Sequence, residues 1–229
     1  MLVTELYKSL QGESTYAGLP CVFVRLTGCN LRCNWCDSEF SFSGGKQMTV
    51  EEVAAEVGKL QSATGNCLVE ITGGEPMLQE REVIPLMERL AAAGYKVLLE
   101  TSGERPLAAV PKEVIKIVDV KCPHSGEADT FALGNLAALA PHDELKFVLA
   151  DRTDYEFARD FIAQHRLAGR VHAILFSPAF KKDATGARDT SHCLLDPEQL
   201  AQWILADNVP ARLSLQIHKL IWDPAAKGV

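Results

Sequence analysis

The chain has 229 residues, 47% of them hydrophobic and 23% charged, which excludes a disordered, collagen-like or disulfide-scaffold protein. Lys and Arg number 23 against 30 Asp and Glu, a net charge of −7, which argues against a nucleic-acid partner. No apolar run reaches the ~20 residues that span a bilayer, and the polar start, Met1 to Gln11, has no signal-peptide core; a cytoplasmic protein with no membrane contact is expected.

In chain order, the first strand is predicted at Val22–Leu26. Thr49-Val-Glu-Glu52 reads as a capping box opening a helix to about Leu60. A strand follows at Cys67–Thr72, then a helix over Glu80–Ala93. That helix carries an apolar stripe of Val83, Leu86, Met87 and Leu90, with Gly94 at its C-cap. Strands are predicted at Lys96–Glu100, Ile115–Val120 and Glu144–Leu149, a helix at Thr153–His165, a strand at Val171–Phe176, a helix at Pro197–Ala206 and a last strand at Ala211–Gln216. Several strands read as continuous β-branched apolar runs, the pattern of a parallel sheet covered on both faces. With no linker or repeat, the βα series implies one domain, 1–229. Both the open doubly wound sheet and the barrel place function at the C-terminal strand ends. The polar or Gly-rich junctions expected there are Thr27–Cys29, Thr72–Pro76, Thr101–Gly103, Lys121–Gly126, Glu144–Lys146, Ser177–Pro178 and Gln216–Lys219. Such loops are common in any α/β protein, so a cysteine cluster decides their weight.

There are seven cysteines, at 21, 29, 33, 36, 67, 122 and 193. An odd count in a reducing compartment points to metal or redox thiolates together with inert buried thiols. Cys29, Cys33 and Cys36 stand at C-x3-C-x2-C spacing, close enough to wrap one soft metal centre. Structural zinc wants a fourth protein ligand, and no Cys or His follows Cys36 within the next twenty residues. A [4Fe–4S] cluster held by three cysteines keeps one iron open for a substrate or cofactor. Zinc and redox thiols stay as alternatives. Cys21 and Cys67 read as buried strand thiols, Trp203 as a core residue, and Cys193 has no assigned role.

The triplet of cysteines, Trp35 before the third, and Thr72-Gly-Gly-Glu75-Pro76 after the next strand together resemble the radical S-adenosylmethionine (SAM) superfamily. The resemblance implies a reduced, partly open (β/α) barrel of about six to seven mainly parallel strands, a [4Fe–4S] cluster on Cys29, Cys33 and Cys36, and SAM on the open iron. It places Trp35 beside the adenine and Gly74 and Glu75 at the SAM amine. Cys36, Asp37, Ser102, Lys121, Cys122 and Pro123 complete the implied SAM side. For Lys121 the residues alone leave a buried ion pair as the alternative.

Further segments narrow the resemblance. Ser9-Leu-Gln-Gly-Glu13, Phe23-Val-Arg25-Leu-Thr-Gly-Cys29, Cys36-Asp37-Ser38, Glu100–Gly103, Asp119–Gly126, Glu144–Phe147 and Gln216–Lys219 run in order, similar to the 7-carboxy-7-deazaguanine synthases of queuosine biosynthesis. That family implies conversion of 6-carboxy-5,6,7,8-tetrahydropterin to 7-carboxy-7-deazaguanine and ammonia, with Mg²⁺, in a homodimer reduced by flavodoxin or ferredoxin. It assigns Leu10, Gln11, Gly12, Glu13 and Thr72 to the pterin and Arg25 to its carboxylate, a surface salt bridge being the bland alternative for Arg25. Ser38 stands where the family commonly has Thr, and keeps the hydroxyl expected on Mg²⁺. His124 and His218 are the histidines expected nearest the site. A glycyl-radical-enzyme activase and a non-enzymatic metal-binding protein are the competing functions.

Overall fold

The structure, a computed structural model, describes residues 1–61, 68–182, 184–186 and 188–229. Its centre is one nine-stranded sheet in the order β3-β1-β2-β4-β5-β6-β7-β8-β9. The strands are β1 (Leu2–Leu10), β2 (Pro20–Leu26), β3 (Lys46–Gln47), β4 (Leu68–Gly73), β5 (Lys96–Thr101), β6 (Ile115–Asp119), β7 (Glu144–Leu149), β8 (Ala173–Pro178) and β9 (Arg212–Leu213). From β2 to β9 every pairing is parallel; β1 is antiparallel to both β2 and β3. The seven parallel strands and the unclosed edges agree with the expected open barrel. The edge strand β3 and its neighbour β1 went unpredicted, and the predicted last strand shrinks to Arg212–Leu213. The start of the predicted Cys67–Thr72 strand, and the Cys67 thiol, lie outside the described residues.

The helices are α1 (Val50–Leu60), α2 (Glu80–Ala92), α3 (Arg152–Gln164), α4 (Pro197–Asp207) and a short α5 (His218–Ile221). α1 opens on the expected capping box: Glu52 N donates to Thr49 Oγ1 at 3.1 Å and Thr49 N to Glu52 Oε2 at 2.8 Å. α2 buries the predicted stripe of Val83, Leu86, Met87 and Leu90. Its stop is the predicted Gly94, at φ +87°, with Tyr95 N reaching back to Leu90 O at 3.1 Å.

Strand alternation divides the sheet into two faces. On the helix side, Val69, Ile71, Leu99, Val118, Leu145, Phe147 and Phe176 join the large apolar core. Trp203 packs against it, as expected, and Cys21 is buried, though on the other face. The second face has only a small apolar cluster of Cys21, Phe23, Leu68, Leu98, Ile115 and Ile117; most of its remaining cleft-lining residues are polar or charged, among them Arg25, Glu70, Thr72, Glu100, Asp119 and Lys146. The sheet curls around that face. β2 and β7 lie four strand steps apart, about 19 Å across a flat sheet, yet Thr15, in the loop before β2, donates N and Oγ1 to Glu144 at the start of β7. The 11–19 loop therefore closes the barrel at the N-terminal ends of the parallel strands.

Candidate active site

The curled face encloses a cleft running from the loop after β2 down to the 11–19 loop. Cys29, Cys33, Trp35, Cys36, Asp37 and Ser38 line its upper end, with Ser102 and Lys121. Thr72, Gly74 and Arg25 line its wall, and Leu10, Gln11, Gly12 and Glu13 its floor. Fifteen of the eighteen residues singled out from sequence thus converge here, although they span positions 10 to 121.

The other three are placed differently. Glu75 is 1% exposed and does not line the cleft. Its carboxylate accepts from Thr101 Oγ1 at 2.7 Å, Ser102 Oγ at 2.6 Å, Ser102 N at 2.9 Å and Met77 N at 3.0 Å. Cys122 is buried in the apolar core, where burial, with Asp154 and Asp119 nearby, pushes its thiol well above the ordinary range. Pro123 opens a one-turn 3-10 helix behind the wall.

The two glycines of the Gly-Gly-Glu-Pro segment bring backbones together. Gly73 adopts φ +153°, and a Cβ there would run into the Leu26 backbone; a Cβ on Gly74 would run into Gly28 and the Cys29 Cβ. Glu75 N donates to Gly28 O at 2.9 Å. This segment therefore seats the cysteine loop against β4.

Among the described residues, the one trio of Cys, His or acidic ligand atoms within 4.8 Å of one another is His124, Asp151 and Asp154. The sulfurs of Cys29, Cys33 and Cys36 are spread more widely. One zinc about 2.3 Å from each sulfur allows no pair beyond about 4.6 Å, so in this arrangement they do not fit a single zinc. All three are free thiols, half exposed to the cleft. Burial raises Cys33 to about 11 and lifts Cys29, with Lys121 opposing both; coordination would remove those protons. Lys121 pairs with Asp119 at 2.8 Å. Burial opposes its charge, but Asp119 and Cys33 hold its pKa above the ordinary lysine value. The ion pair considered for Lys121 and its place on the cleft wall are both present.

Arg25 is pinned by Glu5 (Nε to Oε1, 2.8 Å) and Tyr7 (Nη2 to Oη, 3.1 Å). Those bonds leave its third nitrogen, Nη1, unused. At the floor, Lys146 Nζ pairs with Glu13 at 2.7 Å, with Glu100, and with Asp119 at 3.7 Å. Burial works against its charge, yet Glu100 and Glu13 drive its pKa well above the ordinary value. Burial raises Glu13, but Lys146 and His218 outweigh it and bring the carboxyl down to about 2.

The C-terminal segment ties both ends of the cleft together. Gln216 Nε2 donates to Glu13 at 2.7 Å, Ile217 N to Gly12 O at 2.9 Å, and Lys219 Nζ pairs with Asp37 at 2.6 Å. His218 lines the cleft. His124 does not: it is exposed and sits between Asp151 and Asp154, a correction to its expected place. Glu144 and Lys146 are also corrected. They lie in the first half of β7 and not at its C-terminal end; Lys146 lines the cleft, whereas Glu144 does not and is held by Thr15.

Sequence reading missed Glu5, Tyr7, Glu70, Glu100 and Asp119 as lining residues. The available signal was a charged residue set inside an otherwise apolar strand, as in Leu68-Val-Glu70-Ile71.

Comparison with known proteins gives first the class. The Radical SAM superfamily model matches residues 23–124, the stretch from β2 through the cysteine loop to the end of the cleft wall. The crystal structure of QueE from Escherichia coli superposes with a TM-score of 0.71 at 22% identity, covering 93% of this chain and 92% of that one, and so shares the fold. The 7-carboxy-7-deazaguanine synthase of Koribacter versatilis is 65% identical over the full length of both chains. That of Chlorobaculum tepidum is 38% identical over 99% of this chain and 96% of its own. The chain belongs to the 7-carboxy-7-deazaguanine synthase family of radical SAM enzymes. A [4Fe–4S] cluster and SAM are the cofactors of that class. No helix among the described residues is long and apolar enough to cross a membrane.

Proposed function

We propose that the chain converts 6-carboxy-5,6,7,8-tetrahydropterin to 7-carboxy-7-deazaguanine and ammonia. The observation that carries this reading is one cleft with three cysteines at one end and the Leu10–Glu13 loop with Arg25 facing them. When bound, the cluster and SAM supply one-electron hydrogen-abstraction chemistry. Cys29, Cys33 and Cys36 would hold the cluster, and the Lys121 ammonium offsets part of its negative charge. Trp35, Asp37, Gly74 and Ser102 would contact SAM. Glu75, Cys122 and Pro123 act from behind: Glu75 fixes Ser102 through two hydrogen bonds, and Cys122 and Pro123 shape the loop carrying Lys121.

The free Nη1 of Arg25 suits a substrate carboxylate, since Glu5 and Tyr7 hold the guanidinium plane still. The floor loop would read the donor and acceptor edge of the pterin, with Glu13 ionised and Thr72 above it. Ser38 would give Mg²⁺ its hydroxyl oxygen. If it does, Ser38→Ala weakens the Mg²⁺ response of turnover; an unchanged response removes it from the site. We further propose one domain over 1–229, a cytoplasmic homodimer, and a flavodoxin or ferredoxin as reductant. One sheet spanning the chain supports the first, and the family resemblance supports the others.

The test is an anaerobic assay of reconstituted protein with the pterin, SAM, Mg²⁺ and a reductant, read by mass spectrometry against Cys33→Ala. Carboxydeazaguanine from the unmodified chain alone supports the proposal. SAM cleavage without product turns the reading toward a glycyl-radical activase. Neither product nor cleavage with an intact cluster refutes enzymatic function.

A further inference from the structure

Glu70 is a buried acid of the cleft with no role in the scheme above. It sits mid-strand on β4, 3% exposed, in register with Phe23 on β2 and Leu98 on β5, two members of the small apolar cluster. A carboxyl in such surroundings is costly unless something holds it. No described Lys or Arg forms an ion pair with it. Its side-chain hydrogen-bond partner is Gln11, whose Nε2 donates to Glu70 Oε2. Gln11 is equally buried, and its Oε1 accepts the backbone N–H of Glu13 at 2.9 Å.

An amide has one donor end and one acceptor end. With Nε2 given to Glu70, Oε1 must face the Glu13 N–H. Turning the amide over would set N–H against N–H at Glu13, losing that bond, and take the N–H donor away from the Glu70 oxygen. Glu70 thereby selects one state of a buried switch in the floor loop. That state delivers the Glu13 carboxylate to Lys146 and Gln216, and the Gly12 carbonyl to Ile217 N.

We propose that Glu70 is a positioning residue for the substrate: through Gln11 it sets the conformation of the 11–13 loop that receives the pterin. The proposal rests on the pterin reading of that loop. Burial, then Glu100 and Glu13, push the Glu70 carboxyl well above the ordinary carboxylate range. As a neutral acid it accepts the Gln11 bond without adding a further negative charge beside those two.

A purely structural role and a positioning role forecast opposite results. Glu70→Leu removes the cost of burying an acid that has no cation but leaves Gln11 Nε2 without its acceptor, so the variant should melt close to the unmodified chain. Binding of the pterin should nevertheless weaken. The experiment uses anaerobically reconstituted full-length protein and measures pterin Kd by calorimetry, with KM and kcat, for Glu70→Leu, Glu70→Gln, Gln11→Leu and the Gln11→Leu/Glu70→Leu pair. For Glu70→Leu we expect Kd and KM to rise at least about tenfold with kcat within about threefold. Glu70→Gln retains an acceptor oxygen and should stay within about threefold on all three. The double variant should bind no more weakly than Gln11→Leu alone. An unchanged Kd in Glu70→Leu, or fully additive losses in the pair, overturns the proposal. Glu70→Met repeats the test if Glu70→Leu does not fold, and loss of the fold in both overturns it. An unmodified chain that fails to bind the pterin overturns the substrate reading itself; one that binds while Glu70→Leu is unchanged overturns the positioning role alone.

Discussion

Lys146 and Phe147 are neighbours on β7 and face opposite ways, and they summarise how the two faces of this sheet differ. Phe147 is fully buried in the helix-side core, edge-on to Phe161 and Phe176 at 5.8 and 5.7 Å between ring centroids. Lys146 points to the curled face, between Glu13, Glu100 and Asp119. One face is held by apolar burial, which is additive and insensitive to pH. The other is a charged lining in which each group is stable only because of its neighbours. The first face makes the fold, and the second makes the site and contributes less to stability.

Experiments can break or sharpen that contrast. The largest effect belongs to Cys33→Ala: product formation should fall more than about a hundredfold, beyond what losing a group behind a metal ligand costs, while the urea midpoint of the cluster-free protein is unchanged. Phe147→Ala should cost about 3–5 kcal/mol through the cavity it leaves. That loss should be the same at pH 7 and pH 3, with normal turnover per folded molecule. Lys146→Met should cost a similar ~3–5 kcal/mol at pH 7, because it strands buried carboxylates, and turnover should disappear.

The Lys146→Met loss, unlike that of Phe147→Ala, should shrink in acid. A carboxyl with a lowered folded pKa contributes stability above its ordinary value of 4.5, lost as pH falls through its folded value, about 2 for Glu13. The two urea midpoints should therefore converge across that window. Glu70 works with the opposite sign. Its raised carboxyl contributes stability below 4.5 that is lost as pH rises through its folded pKa. Glu70→Gln should therefore flatten the decline in stability above pH 4.5, seen in urea titrations at pH 5 and 8. The smallest effect is Lys59→Ala: its pair with Glu56 is open to solvent, and the change should stay below about 0.5 kcal/mol. A larger loss there would mean that surface pairs matter more than this contrast allows.

Much of the fold was legible. The capping box at Thr49, the stripe of α2 and its Gly94 stop all rest on spacings within a few residues. β1 was not, because Glu5 and Tyr7 break its apolar alternation to meet Arg25 across the strand pair, and their partner lies about twenty residues away. In the site, the cysteine spacing and the Gly-Gly-Glu-Pro segment stood out because their chemistry is local. His124 and His218 were indistinguishable in sequence, since only packing turns one to the cleft and the other to Asp151 and Asp154.

The sequence by itself determined the superfamily, the three thiols, the seven parallel strands and most residues of the cleft, since each depends on residue type and short spacing. Tertiary structure decided that Glu75 supports the wall from behind, that Lys146 gathers three carboxylates, and that Glu70 holds Gln11. Those outcomes depend on which strand faces meet once the sheet curls, and residues far apart in the chain acquire their charge states only in one another's company.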